Sequence, residues 1–133
     1  MHDKPNAAVI ERWYKAFLAN DKKTLEELVS SDFEWHFGGD SPISTTYCGV
    51  DGITSLRSAL ADHSRGTFQA WKNDSWDVAV SDVHSVVLDR WIAEKENKKL
   101  DAHISLVVVA EQEKICLAFT YFTNQAAFEK FWK

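Results

Sequence analysis

The sequence has no apolar run approaching the roughly 20 residues that a helix needs to cross a bilayer. It also has no basic surplus, since 15 Lys and Arg against 20 Asp and Glu give a net charge of -5. A nucleic-acid-binding domain would be expected to carry a basic face. Residues 1–5 (MHDKP) lack the apolar core of a signal peptide. We therefore expect a cytoplasmic protein with no membrane and no nucleic-acid partner.

Cysteine and proline are scarce as well. The two cysteines, Cys48 and Cys116, form no disulfide framework and have small or apolar neighbours, which is typical of buried thiols in a reducing compartment. With two prolines and no low-complexity or glycine-rich stretch, nothing divides the chain. A length of 133 residues suits a single domain, which we predict over 1–133.

Motifs for metals, phosphates and nucleophiles are absent from the sequence. There is no glycine-rich phosphate loop and no nucleophile elbow. The pairs His84/His103 and His36/His63 do not have the spacing of metal ligands. We expect neither a cofactor nor a metal ion.

Aromatic residues, in contrast, are abundant: six Trp, eight Phe and three Tyr. Rings of this kind build either a large core or a cavity that receives an apolar ligand. The composition leaves both interpretations open.

Apolar residues at spacings of three and four predict helices in the first half of the chain and at its end. Asp21 and Asp51 are expected to cap the second and third helices. His63 completes the inner face of the third helix, which also carries Leu60. The predicted helices are 7–19, 22–29, 52–64 and the short terminal helix 125–132.

Strict alternation of apolar and polar residues predicts strands elsewhere, beginning with Phe33–Phe37. Turns are expected at 96–98, where Asn97 tolerates a positive φ, and at 111–113. Helices followed by successive hairpins indicate an α+β fold with an antiparallel sheet. The remaining predicted strands are 67–72, 75–81, 84–94, 99–110 and 114–123.

Five local motifs occur in a characteristic order: VIERWYKAF at 9–17, DFEWHF at 32–37, YCGVDGI at 47–53, KI at 114–115 and AFEKFW at 127–132. Together they resemble the nuclear transport factor two-like superfamily, and within it the SnoaL-like domains. The resemblance covers essentially the whole chain. It implies a curved antiparallel sheet wrapped around three N-terminal helices, as a cone-shaped α+β barrel with an internal hydrophobic pocket. It also implies a homodimer formed through the outer face of the sheet.

The known chemistries of that superfamily do not transfer residue by residue. By resemblance to ketosteroid isomerase, Trp13, Phe37 and Ser105 stand where that enzyme has its Tyr, its base and its protonated Asp. The Asp of the polyketide cyclases corresponds to Thr123-Asn124, where we favour a helix cap. An Asp–Arg–Asp set like that of limonene epoxide hydrolase would require Asp89-Arg90 and Asp101, but adjacent strand residues point to opposite faces.

The alignment with the isomerase predicts that Ser105 and His103 face the pocket, together with Asp89 and Trp91 on the neighbouring strand. A register error of one residue would reverse such an assignment. A buried His103 would be a neutral imidazole able to act as a base. The candidate catalytic residues are therefore His103 and Asp89. The candidate pocket residues are Trp13, Tyr14, Phe17, Trp35, Phe37, Tyr47, Leu60, His63, Trp91, Ser105, Thr120, Phe122 and Asn124.

Two functions follow. One is an enzyme of isomerase, cyclase or dehydratase type that performs acid–base chemistry on an apolar, ring-containing substrate. The alternative is a non-catalytic domain that binds an apolar or aromatic ligand.

Overall fold

The computed structural model describes residues 5–70, 77–81 and 84–133. This part of the chain contains four helices and seven strands. The strands form one mixed, curved and unclosed sheet, and helices pack on its inner face. The elements are α1 (Pro5–Ala19), α2 (Lys22–Leu28), β1 (Val29–Phe37), β2 (Thr45–Cys48), α3 (Gly49–His63), β3 (Gln69–Ala70), β4 (Asp77–Val80), β5 (His84–Lys95), β6 (Lys98–Glu111), β7 (Lys114–Phe122) and α4 (Gln125–Trp132).

The predicted helices are present, with differences at their ends. Asp21 caps α2 as predicted, because its side chain accepts a hydrogen bond from the backbone N–H of Thr24. Asp51 does not cap α3, since the helix begins earlier, after Cys48, and Asp51 lies in its first turn. A carboxylate there still interacts favourably with the helix dipole. Gly52 is required next to it, because a Cβ at that position would lie 2.7 Å from the backbone carbonyl carbon of Tyr47.

The sheet is mixed and not purely antiparallel, which corrects the prediction. Its strand order is β2-β1-β7-β6-β5-β3, with β4 also paired to β5. β1 and β7 run parallel, while the other described pairs are antiparallel. The parallel pair arises because β1 comes from the helical half of the chain and joins the meander only at its last strand. The sequence pattern shows strand period but not which distant strand is the partner.

Strand boundaries differ from the prediction at several places. β1 starts four residues before Phe33, and β2 forms where a loop over 38–46 was expected to lead into the third helix. The predicted strands 67–72 and 75–81 lie partly outside the described residues, which contain only β3 and β4 from them. The strands predicted over 84–94, 99–110 and 114–123 match β5, β6 and β7 within one residue at each end.

Both hairpins close with two-residue loops. In the first, Lys95 pairs with Lys98, and the positive φ of 54° belongs to Glu96, not to Asn97 as predicted. In the second, Gln112 and Glu113 have φ values of 50° and 64°, the pattern of a type I′ turn. The position in the turn, more than the preference of the residue, decides where the left-handed conformation falls.

Burial alternates strictly along the central strands and defines the inner face of the sheet, which packs against the helices. On β5 the buried residues include Val87, Asp89 and Trp91, and on β6 they include Ile104 and Leu106. The core between this face and the helices is rich in rings. Its largest fully buried side chains are Trp13, Trp35, Trp91, Trp132, Tyr14, Phe17, Phe33, Phe37 and Phe128.

Candidate active site

The candidate site is a buried polar cluster in this aromatic core, formed by Tyr14, Asp89 and Trp91 and called here the Tyr14 network. Tyr14 lies on α1 one residue after Trp13, on the helix face that packs against the sheet. Asp89 and Trp91 lie two residues apart on β5 and so share its inner face. Strand alternation and the α1 apolar stripe thus bring three polar atoms together in an otherwise apolar interior.

Hydrogen bonds connect the three side chains directly. The Tyr14 hydroxyl donates to Asp89 Oδ2, and Trp91 Nε1 donates to the same hydroxyl at 2.8 Å. The other carboxylate oxygen, Asp89 Oδ1, accepts from the backbone N–H of Arg90 at 2.7 Å. Tyr14 therefore donates to the carboxylate while accepting from the indole, which fixes the orientation of both.

Burial dominates the acid–base properties of the network. It raises the pKa of Asp89, although the hydrogen bonds from Tyr14 and from the Arg90 N–H partly oppose that rise. The pKa of Tyr14 is raised well above its usual value, first by burial and then by the charge of Asp89. Asp89 is consequently the group in the network whose pKa moves toward neutral pH, while Tyr14 stays protonated.

Solvent access separates the roles further. Tyr14 and Trp91 are fully buried, whereas Asp89 retains 9% of its surface exposed. Asp89 is therefore the member of the network that lies nearest to solvent, and Tyr14 and Trp91 contact it from the buried side.

Aromatic rings surround the Tyr14 network. Phe68 packs edge-on against Trp91 with ring centroids 5.0 Å apart, and Phe37 stacks on Trp91 at 6.3 Å. Trp35 lies 4.8 Å from Phe17 on the other side. Rings packed in this way keep the effective dielectric around Asp89 low.

A second buried polar contact lies on the inner face beside the network. Trp35 Nε1 donates to Thr120 Oγ1 at 2.6 Å, which satisfies both groups. The indole N–H of Trp13, in contrast, is buried without a partner among the described residues. Sequence reasoning placed these residues on the inner face but did not pair them.

The structure contradicts the predicted placement of His103 and Ser105. The buried residues of β6 are all even-numbered (Leu100, Ile104, Leu106, Val108 and Ala110), so His103 is exposed and faces outward, and Ser105 is only half-buried on the same outer side. His103 pairs with Arg90, the outward neighbour of Asp89. The isomerase-based alignment was thus displaced by one residue on this strand, and a displacement of one exchanges the two faces.

Three further predicted pocket residues lie elsewhere. His63 is exposed at the end of α3, where the buried position is the following residue, Ser64. Asn124 is exposed and caps α4 by accepting from the N–H of Ala127. Tyr47 is half-buried and donates its hydroxyl proton to the carbonyl of Ile43 at 2.6 Å.

The remaining candidate pocket residues lie in the core: Trp13, Tyr14, Phe17, Trp35, Phe37, Leu60, Trp91 and Thr120 are buried, and Phe122 is half-buried. Two rings at the site were not predicted there. Phe68 reaches Trp91 from the loop before β3, and Phe128 stacks on Phe122 at 3.6 Å. The apolar face of the terminal helix was a usable signal for Phe128.

Asp101 and Arg90 form a pair of a different kind on the outer face. The Arg90 guanidinium donates to both carboxylate oxygens of Asp101, at 2.6 and 2.5 Å. This hydrogen bonding lowers the pKa of Asp101, so that carboxylate is held ionised. Asp101 also borders a depression of about 480 Å³ beside Phe68 and Ile92, in which the other carboxylate, Glu94, is ion-paired with a lysine. The Asp101 carboxylate is already held by Arg90, and the Glu94 carboxylate is an exposed group 3.4 Å from Lys99 Nζ. We therefore place the candidate site at Asp89, which lies on the inner face among the rings.

Within 5–70, 77–81 and 84–133, no three His, Cys, Asp or Glu side chains are grouped so that they could hold a metal ion. In the same ranges, no helix has the length and apolar character needed to span a bilayer.

Solved structures share this architecture over nearly the whole chain. Bal32a, from a soil-derived mobile gene cassette, is 28% identical and superimposes with a TM-score of 0.85 over 97% of each chain. An NTF2-like protein from Burkholderia xenovorans is 14% identical, with a TM-score of 0.83 over 98% of each chain. This chain therefore has the NTF2-like fold. A candidate SnoaL-like polyketide cyclase from Jannaschia is 11% identical, with a TM-score of 0.71 over 96% of this chain and 95% of that one. No family profile and no curated protein matches the sequence.

Proposed function

We propose that this NTF2-like chain binds an apolar, ring-containing small molecule against the inner face of the sheet and exchanges a proton with it through Asp89. The observation that carries the proposal is the Tyr14 network, in which a fully buried phenol holds the carboxylate of Asp89, a residue that is 9% exposed, within a wall of rings. Structural neighbours that include a candidate polyketide cyclase support chemistry of the isomerase, cyclase or dehydratase type.

The proposed chemistry needs a carboxylate that can both accept and return a proton. A base is most effective when its pKa lies near the working pH, and burial moves the pKa of Asp89 in that direction. In an isomerisation, Asp89 would take a proton from one atom of the substrate and return it to another. Tyr14 would hold the carboxylate in place through both states.

His103 is not proposed again as the base, because it faces away from the Tyr14 network. Asp89, predicted as its partner, takes over that role.

The proposal is tested with the wild-type protein, Asp89→Asn and the matched control Asp101→Asn. Binding of a panel of apolar ring compounds is followed by tryptophan fluorescence. Proton exchange is followed in D₂O, by loss of ligand ¹H NMR signals as deuterium enters the bound compound. We expect Asp89→Asn to retain binding within about threefold but to lose deuterium incorporation, and Asp101→Asn to retain both.

The alternative function, a non-catalytic binding domain, is favoured by the same wall of rings around Trp91. It predicts saturable binding without deuterium incorporation in the wild type. Incorporation that persists in Asp89→Asn would rule out Asp89 as the base. If no compound binds, both functions fail.

We also propose a homodimer formed through the outer face of the sheet. This face carries Leu88 and Tyr121, whose surfaces are 46% and 56% exposed, next to the half-buried Val107 and Phe119. Exposed apolar patches on a sheet mark interaction surfaces. Sedimentation equilibrium should show a dimer that Leu88→Glu with Tyr121→Glu dissociates. A wild-type monomer at micromolar concentration would exclude this proposal.

A further inference from the structure

The tip of the β5–β6 hairpin collects positive charge, although the chain as a whole has a net charge of -5. A depression of about 330 Å³ lies there, between the end of α3, the hairpin and the end of α4. Seven residues line this basic depression: Asp62, His63, Arg65, Lys95, Glu96, Lys98 and Lys133. Four of them are Lys or Arg and two are Asp or Glu, so the local balance is the reverse of the global one.

Lys95 and Lys98 are the central pair. They are directly opposite each other in the hairpin register, at the last pair before the turn. Side chains opposite each other in an antiparallel pair lie on the same face with Cβ atoms about 5 Å apart, and like charges in that position are destabilising. Burial, the charge of Lys98 and the charge of Arg65 lower the pKa of Lys95, and Glu96 only partly opposes this.

Arg65 and Lys133, the other cations of the basic depression, have carboxylate partners. Lys95 and Lys98 have no carboxylate partner within the described residues. Arg65 bonds Glu96 at 2.7 Å, and Lys133 lies 3.4 Å from Asp40. Lys95 Nζ instead donates to the carbonyl of Trp132 at 3.3 Å, and Lys98 Nζ reaches a second α4 carbonyl at 3.5 Å. One lysine at a helix C-terminus is ordinary stabilisation of the helix dipole. Capping does not explain Lys98. Its amine lies opposite Lys95 in the hairpin and is only at the limit of hydrogen-bonding distance from its α4 carbonyl.

We propose that this basic depression binds the phosphate group of a small molecule. Two ammonium groups and a guanidinium around a concave surface match a multivalent oxyanion, which would relieve the Lys95–Lys98 repulsion. A small ligand is favoured over a nucleic acid because the net charge of the chain repels polyanions. The depression is separate from Asp89, since Lys95 lies six positions after Asp89 along β5, a distance of about 20 Å.

The test uses inorganic phosphate as the probe, titrated at constant ionic strength and followed by ¹H–¹⁵N chemical shifts. Lys98→Gln is compared with Lys99→Gln, a matched control from the next position. Lys99 points to the opposite face, is 82% exposed and is paired with Glu94. We expect Lys98→Gln to weaken phosphate binding about tenfold, the loss of one charge-assisted contact, while Lys99→Gln leaves it unchanged. Arg65→Gln is a second variant away from the helix contacts, and thermal unfolding verifies that each variant is folded.

Three outcomes would overturn the proposal. Equal weakening by Lys98→Gln and Lys99→Gln would mean that only general charge matters. Acetate binding as tightly as phosphate would mean that the depression has no preference for a multivalent anion. Phosphate-induced chemical-shift changes in residues remote from the hairpin would indicate an adventitious ion only. So would changes that appear only at phosphate concentrations at which any other anion causes the same changes. Retained phosphate binding in Asp89→Asn is expected in every case, because the two sites are independent.

Discussion

Replacing Tyr14 by Phe removes one hydroxyl from the centre of the Tyr14 network and leaves the packing of its ring almost unchanged. Trp91 Nε1 then loses its acceptor, and Asp89 loses the phenol donor while it keeps the backbone N–H of Arg90. An orphaned buried donor costs about 1–3 kcal/mol, and a hydrogen bond to a charged group contributes about 1.5–3 kcal/mol. Because Asp89 is not fully buried, water recovers part of the loss. We expect the free energy of unfolding to fall by about 3 kcal/mol.

The assay is urea denaturation followed by far-UV circular dichroism, since tryptophan fluorescence would report on the altered Trp91 itself. Tyr121→Phe is the matched control, because Tyr121 is 56% exposed on the outer face, and a surface change of this kind stays within about 0.5 kcal/mol. The m-value should be the same for all three proteins. A loss of less than 1 kcal/mol in Tyr14→Phe, or an equal loss in the control, would refute the description of the network as a buried, fully paired unit.

The other predictions concern individual contacts. Asp89 has a raised pKa, so the folded state binds its proton more tightly. Its contribution to stability should therefore be greatest at low pH and should fall as pH rises above about 4 and through the folded-state pKa. Asp101 has a lowered pKa, so its contribution to stability should depend on pH in the opposite direction. That contribution should be present above about pH 4 and should be lost as pH falls through the folded-state pKa. Urea titrations of Asp89→Asn and Asp101→Asn against wild type between pH 3 and 7 measure both slopes. Thr120→Val should cost about 1–3 kcal/mol in the same assay, because it orphans Trp35 Nε1. Asn124→Ala should cost about 1 kcal/mol through loss of the α4 cap, and a neutral result would show that the cap contributes nothing.

Periodicity predicted the elements of this fold well wherever the pattern was long. α1 follows its apolar stripe, and the strands β5 to β7 are each nine residues or longer and are separated by polar turn residues, which mark their ends. β2 was missed because four residues, of which none is fully buried, leave no alternating signal. The parallel pairing of β1 with β7 joins segments about 80 residues apart, which no local pattern encodes.

The residues of the candidate site were predicted correctly on β5 and wrongly on β6. Asp89 and Trp91 were placed on the inner face correctly, but that placement depended on the isomerase alignment and the expected hairpin register, because the apolar residues of β5 lie on both of its faces. On β6 nearly every residue between Ile104 and Ala110 is apolar, so alternation cannot distinguish the two faces of this strand. The alignment with the isomerase therefore placed His103 on the inner face, although it lies on the outer one. The pairing of Tyr14 with Asp89 joins a helix to a strand 75 positions later and follows only from the tertiary structure.

The measurement that tests the central claim most directly is the titration of the Asp89 carboxyl carbon by ¹³C NMR, in the wild type and in Tyr14→Phe. The structure predicts a pKa above the ordinary aspartate value of about 3.9 in the wild type. It predicts a higher pKa still in Tyr14→Phe, because the phenol hydrogen bond favours the ionised form. A wild-type value at or below 3.9, or one that Tyr14→Phe leaves unchanged, would contradict the assignment of Asp89 as a buried acid–base group held by Tyr14.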